Sequence, residues 1–321
     1  MPSSDVAVVP HAATRPTAAP WIDAGDLLRG AAFLFALAPV AWSIPPRRWW
    51  GGCRVAGELL GRLRERQHPG WGDIVPQAIG PRSLPIAPRS VRGRCLAHAI
   101  EANLQLLRDH RPDGWQPDIT LEGRERIDRA LDRGRGIVLW VHRFHPFVHF
   151  VAVHRAGFLV CRASGVAHGQ FYRSRFGQRW LNRIQTSVED RYCERILIRQ
   201  GSLSHLRELQ RRLGRNAIVS MYFDGLEHTR NIEIPFLEGR LSVAPRPASL
   251  ALETGATLLP VFAVSEGPEH YRVIVEAPVN LAGTANCRQA VDAIVAAHVK
   301  QLEPYALAYP DQWSDWWRVS P

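Results

Sequence analysis

The chain has 321 residues, enough to bury a sizeable core in one large domain or two small ones. With 46% hydrophobic and 22% charged residues, it is neither a disordered chain nor a polytopic membrane protein. The formal charge of +10 is nearly all arginine, Lys300 being the sole lysine, and it suits anionic partners: lipid head groups, phosphopantetheine carriers, coenzyme A or RNA. An arginine-favouring codon usage gives the same surplus, so charge alone names no function. Cys53, Cys95, Cys161, Cys193 and Cys287 are odd in number, far apart and without a C-x-x-C pair. That is neither a disulfide framework nor a zinc-finger pattern, and it fits a reducing compartment.

Residues 1–20 are rich in Pro, Ala and small polar residues and read as a disordered tail without the basic-then-apolar layout of a signal peptide. Residues 21–66 read as apolar and amphipathic helices. Their most apolar part is 31–46, "AAFLFALAPVAWSIPP", 16 residues between Arg29 and Arg47–Arg48. A membrane-spanning helix wants about 20 apolar residues. Trp42, Trp49 and Trp50 beside arginines suit an interfacial, peripheral contact instead; a buried helix of the globular domain is the competing reading. The Pro- and Gly-rich segment 67–93 reads as a connector.

From 94 to 321 the pattern is that of one α/β domain. An amphipathic helix over 96–110 leads into alternating strands and helices. The strands are "DITLEG", "GIVLWVH", "FLVCR", "RILIRQ", "NAIVSMYFDG", "ATLLPVFAVSE" and "YRVIVEAPV". The last alternates and is expected near a sheet edge. Between them lie helices, one opened by Pro146, one basic over "QFYRSRFGQRWLNRIQ", and one closing the chain over "NCRQAVDAIVAAHVKQLE". Apolar strands separated by helices predict a largely parallel central sheet flanked by helices on both faces.

Ligands of such sheets bind where strands end and helices begin. There "VLWVHRFHPFVHF" places His142 at a strand end, with His145 and His149 four apart and sharing a face at the start of the next helix. Three chemistries compete. A metal site has helical spacing in its favour, but no Glu stands between the histidines and no carboxylate or thiol lies close behind them; no metal and no cofactor is expected. Core histidines satisfied by backbone is the reading for His149 and His154. The third is a general base at His142, deprotonating an acceptor for acyl transfer.

From about residue 118 onward, the chain resembles the bacterial lipid A biosynthesis lauroyl/myristoyl acyltransferases, within the glycerolipid and lysophospholipid acyltransferase superfamily. The resemblance is a succession of blocks. "GIVLWVHRFHPF" stands where the family has a strand ending in H-x-x-x-x-(D/E), and "GFLVCR" with "RSRFGQRWLNRI" resembles its Arg-bearing block. "LRELQRRLGRNAIVSMYFDG" resembles the approach to its Asp-Gln. "IEIPFLEGRLSVAPRPASLALETGATLLPVF" resembles its Pro-Phe-Phe-Gly loop, alanine-rich helix and Gly-Ala-Pro-Val-Pro strand, and "YPDQWSDWWR" its C-terminal closure. The resemblance implies an enzyme at the cytoplasmic face of the cell membrane, with 31–46 where the family has its anchor. It would move an acyl group from an acyl carrier protein or acyl-CoA thioester to a hydroxyl. His142 would be the base, Asp224 the retained acid of the later block, and Arg162 a binder of phosphate or carboxylate; Arg173 and Arg175 would either help it or belong to a solvated basic helix face.

The family's motif acid falls on Phe147. In a serine triad, loss of the orienting acid costs about four orders of magnitude. Three outcomes are open: Asp224 or Glu227 supplies a carboxylate from another strand end, His145 orients His142, or the chain is a non-catalytic lipid-binding relative. An amine acceptor, being more nucleophilic, demands less of the base. The basic charge also leaves open a transferase that takes an aminoacyl group from tRNA to a small amine or hydroxylamine in natural-product biosynthesis. Acceptor, acyl chain and oligomeric state are not legible.

Overall fold

The run from Ile137 to Val141 is buried at every position, as a strand covered on both faces must be. It is β2, the middle strand of a seven-stranded sheet. The computed structural model describes residues 19–145, 147–165, 168–198, 204–222, 231–280 and 287–320. Its strands in chain order are β1 (Asp118–Glu122), β2 (Ile137–Val141), β3 (Val160–Gly165), β4 (Cys193–Ile198), β5 (Ile218–Tyr222), β6 (Ile232–Phe236), β7 (Gly239–Val243), β8 (Thr257–Gly267), β9 (His270–Val275) and β10 (Val319–Ser320). The large sheet runs β1-β9-β8-β2-β5-β3-β4. All its pairings are parallel except β8 with β9. The expected α/β architecture with a mostly parallel central sheet is what forms.

Two apolar clusters cover its faces. Trp140, Phe262, Val219 and the C-terminal helix Cys287–Ala308 gather on one side, and Leu139, Val141 and the helix Val148–Arg155 on the other. This division comes from the alternation of side chains along β2. β5 lies between β2 and β3, so the chain reverses its direction of strand addition beside β2, the place where α/β sheets open a crevice.

β9 does lie near an edge, as expected, one strand in, with β1 pairing with it in parallel as the edge strand. Several expectations are corrected. The segment 67–93 is more than a connector, because Ile74–Ile79 is a helix whose Val75, Ala78 and Ile79 are buried in the core. "IEIPFLEGRLSV" forms the β6–β7 hairpin, which β10 extends into a separate three-stranded sheet. The basic helix begins at Arg175 rather than 170. The helix of 96–110 begins earlier, spanning Val91–Arg108. Pro146, expected to open a helix, lies outside the described residues.

The N-terminal apolar segment is a helix from Ala24 to Ser43, of 20 residues and mean hydropathy 1.4. Its Asp26, Gly30, Phe33 and Ala41 are buried at helical spacing. Asp26 accepts from the backbone N–H and the hydroxyl of Ser174, both at 2.8 Å. The Phe33 ring meets Phe171 edge-on at 5.5 Å. One face is thus fastened to the domain along its length, while the opposite face exposes Leu28, Phe35 and Trp42.

Candidate active site

His142 comes directly after β2, its N–H reaching the carbonyl of Val261 on the neighbouring β8. The side chain lies on the same face as Trp140, two residues earlier, and is fully buried. Its Nε2 is 2.7 Å from Nε2 of His298, on the C-terminal helix. The two rings belong to a column of near-parallel aromatics. Trp140 stacks on His298 at 3.7 Å, His298 on His142 at 4.7 Å, His142 on Phe262 at 5.1 Å, and Phe262 on Tyr305 at 4.0 Å. Burial lowers the His142 pKa to about 3. Burial, and then the neighbouring His142, pushes His298 well below its ordinary value. Both imidazoles are neutral at pH 7, so one Nε2 donates and the other accepts.

His145 does not join them. The next helix starts at Val148, so His145 and His149 do not share a helical face, which corrects the spacing reading. The His145 ring instead meets His98 edge-on at 5.1 Å and Tyr271 at 5.3 Å. Its Nε2 is buried with no hydrogen-bond partner among the described residues. It borders a cavity of about 30 Å³ lined also by Gln105, Phe147 and Val148, room for a single water. Burial and then the nearby His98 lower its pKa. His98 itself sits 3.5 Å from Glu101 and 3.9 Å from Asp311. Burial acts to lower its pKa, but the two carboxylates hold it above the usual range.

Phe147, at the position of the missing acid, packs edge-on against Tyr192 at 5.4 Å and beside Phe150. It joins the clusters on the side away from His142. His149 is a buried core histidine whose Nε2 lies 3.2 Å from the Ser220 hydroxyl. His154 is not buried: it is exposed and edge-on to Tyr192.

Arg162 lies within β3, buried, with its guanidinium 3.3 Å from Glu189 and over the rings of Tyr222 and Phe150. Glu189 also meets His168 at 2.8 Å and accepts from Gln185 at 2.8 Å. Burial acts to raise its pKa, but His168 and Arg162 bring it down to about 2. The Arg162 charge is therefore already answered inside the protein. Arg173 and Arg175 are exposed beyond this network. Asp224 and Glu227 lie outside the described residues. Among the described residues, no group of three or more His, Cys, Asp or Glu side chains is placed to hold a metal.

The C-terminal segment is tied to β8 and to the residue after His142. Gln312 exchanges two hydrogen bonds with the Ser265 backbone, and Ser314 donates its N–H and hydroxyl to the carbonyl of Arg143. Sequence reasoning missed His298, although "AAHVK" puts a lone histidine among apolar helix residues, and it missed His98, Asp311 and Glu189. No curated protein matches the chain. The family model for bacterial lipid A biosynthesis acyltransferases matches residues 96–316, which hold β1 through β9, His142 and the C-terminal closure. By that match over most of its length, the chain belongs to the bacterial lipid A biosynthesis acyltransferase family.

Proposed function

We propose that the protein transfers an acyl group from a carrier-protein or coenzyme A thioester to a hydroxyl or amine, with His142 as general base and His298 in place of the missing motif acid. The observation that carries this reading is the 2.7 Å contact between the two Nε2 atoms at the C-terminal end of the central strand. A donor proton on His142 Nε2 directed at His298 Nε2 leaves His142 Nδ1 as the basic atom. That nitrogen takes the acceptor's proton as the acceptor oxygen or nitrogen bonds to the thioester carbonyl carbon. The C–S bond then breaks, and the thiolate leaves with the proton returned by the imidazolium. His298 fixes the tautomer, as a carboxylate does in a triad.

A place at the cytoplasmic membrane surface is supported by the family and by the helix Ala24–Ser43. Because one face of that helix is buried against the domain at Asp26, Gly30, Phe33 and Ala41, it supports contact along a membrane surface better than passage through it.

Hydroxylamine serves as a generic acceptor in the test: hydroxamate formed from a long-chain acyl-CoA is measured above the uncatalysed rate. His142→Ala is expected to lose about two to four orders of magnitude while keeping its melting temperature within a few degrees. An unchanged rate would overturn the base assignment and favour a binding role, which the full burial of His142 also fits. Charged tRNA supplied in place of acyl-CoA distinguishes the other donor, whose use should fall steeply with salt.

A further inference from the structure

We propose that the helix Trp49–Gln67 is a second membrane contact, lying in the plane of the interface and selecting anionic lipid. It rests on the reading that the protein works at a membrane, and adds a surface which that reading does not use. Its inner face is made of Cys53, Gly57 and Gly61 and is buried. A Cβ on Gly57 would come within 2.5 Å of the Gly93 carbonyl oxygen and 2.6 Å of the Ala97 nitrogen, so the helix sits backbone-to-backbone on Val91–Arg108. The outer face is therefore fixed in direction.

On that outer face, Val55, Leu59 and Leu63 repeat every four residues and are each at least half exposed, with Leu60 beside them. Such a stripe on an otherwise soluble surface marks a contact. Beside it runs a polar stripe at the same spacing, Arg54, Glu58, Arg62 and Arg66. The three arginines are exposed and make no ion pair among the described residues. An apolar stripe bordered by basic residues is the signature of a helix lying at a lipid surface, with its side chains in the acyl boundary and its guanidiniums among phosphates. The helix Ala24–Ser43, which packs on the same Val91–Arg108 helix, likewise turns Leu28, Phe35 and Trp42 outward.

A second copy of the chain fits this face less well. A two-fold contact sets each stripe against itself, and so brings arginine against arginine. An anionic bilayer answers both the apolar and the basic stripe.

The test is co-sedimentation of the full chain with vesicles of phosphatidylcholine alone, and of phosphatidylcholine with phosphatidylglycerol. The wild type should bind the anionic vesicles more tightly. The triple change Arg54→Gln, Arg62→Gln, Arg66→Gln should remove most of that preference, roughly fivefold for each arginine. The pair Leu59→Asp, Leu63→Asp should weaken binding to both vesicles by more than about tenfold, from the loss of buried apolar area. Circular dichroism should stay unchanged for both, since these side chains make no core contact. Phe35→Asp reports separately on the Ala24–Ser43 anchor. If Phe35→Asp weakens binding and the Trp49–Gln67 variants do not, the anchor stands and this inference falls. It falls equally if Leu59→Asp, Leu63→Asp leaves vesicle binding intact but turns a dimer into a monomer, because the stripe then covers a second copy.

Discussion

At the residue scale, the candidate site pairs His142 with a second histidine, His298, while Asp224, the carboxylate expected beside it, lies outside the described residues. His142 was legible because an apolar run stops at it, and a polar side chain at the end of a buried strand needs a reason. Its partner was not, because His298 lies 156 residues further on and only the crossing of helix and sheet brings them together. Two substitutions separate positioning from packing. His298→Ala should lower hydroxamate formation about as far as His142→Ala does, with little further loss in the double variant, because the two act as a unit. His298→Gln, which can still accept a hydrogen bond, should recover part of the rate; no recovery would reduce His298 to a core residue. Restoring the family acid by Phe147→Glu should not help. The new carboxylate would lie among Tyr192 and Phe150, away from His142, and cost about 2 kcal/mol of stability in a denaturant titration. A rise in transfer rate would show that the site can still use an acid there.

At the element scale, β2 and the helix Trp49–Gln67 show how far a local pattern reaches. Five buried apolar residues announce a central strand with both faces covered, and β2 is one. The glycines of Trp49–Gln67 look from sequence like helix-weakening residues, each unfavourable by about 1 kcal/mol against alanine. Gly57 is instead the point where two helices touch backbone to backbone. Gly57→Ala should therefore destabilise the protein by about 1–3 kcal/mol, although it raises helix propensity, because the added methyl forces the helices apart. An increase in melting temperature would contradict that contact. The i, i+4 reading of His145 and His149 failed for a related reason: where a helix begins is decided by the loop before it, and here it begins after His145.

At the scale of the whole molecule, buried titratable groups set how the fold responds to acid. His142, His145 and His298 are all held below their ordinary pKa of 6.5 by burial, so the unfolded chain takes up protons that the folded one refuses. Stability should then fall as pH drops below about 6.5, continuing toward the folded value of about 3 at His142. At pH 5.5 each such histidine should cost on the order of 1 kcal/mol relative to neutral pH. His98, held above 6.5, acts the other way, with its contribution present at acid pH and lost as pH rises. Glu189, held near 2, loses its contribution only as pH falls below about 4.5. Melting temperatures at pH 7.5 and 5.5 therefore isolate the histidines. A lower value at 5.5 is expected in the wild type, and a smaller drop in His145→Gln; equal melting at both pH values would mean that these imidazoles are not buried neutral.

What the sequence determined by itself was the part carried by neighbours along the chain. That part comprises the α/β order, the apolar strands, the apolar N-terminal helix, the family blocks and the histidine at the end of "GIVLWVH". These signals are local because strand and helix periodicity is local. The tertiary structure alone decided that His298 faces His142, that Glu189 answers Arg162, and that β1 takes the edge beside β9. It also decided that the helix Ala24–Ser43 has one face fastened down by Asp26. Each of these joins residues distant in sequence through burial. What a buried polar group must be paired with is dictated by the group that shares its desolvated space, and the chain alone does not say which one that is.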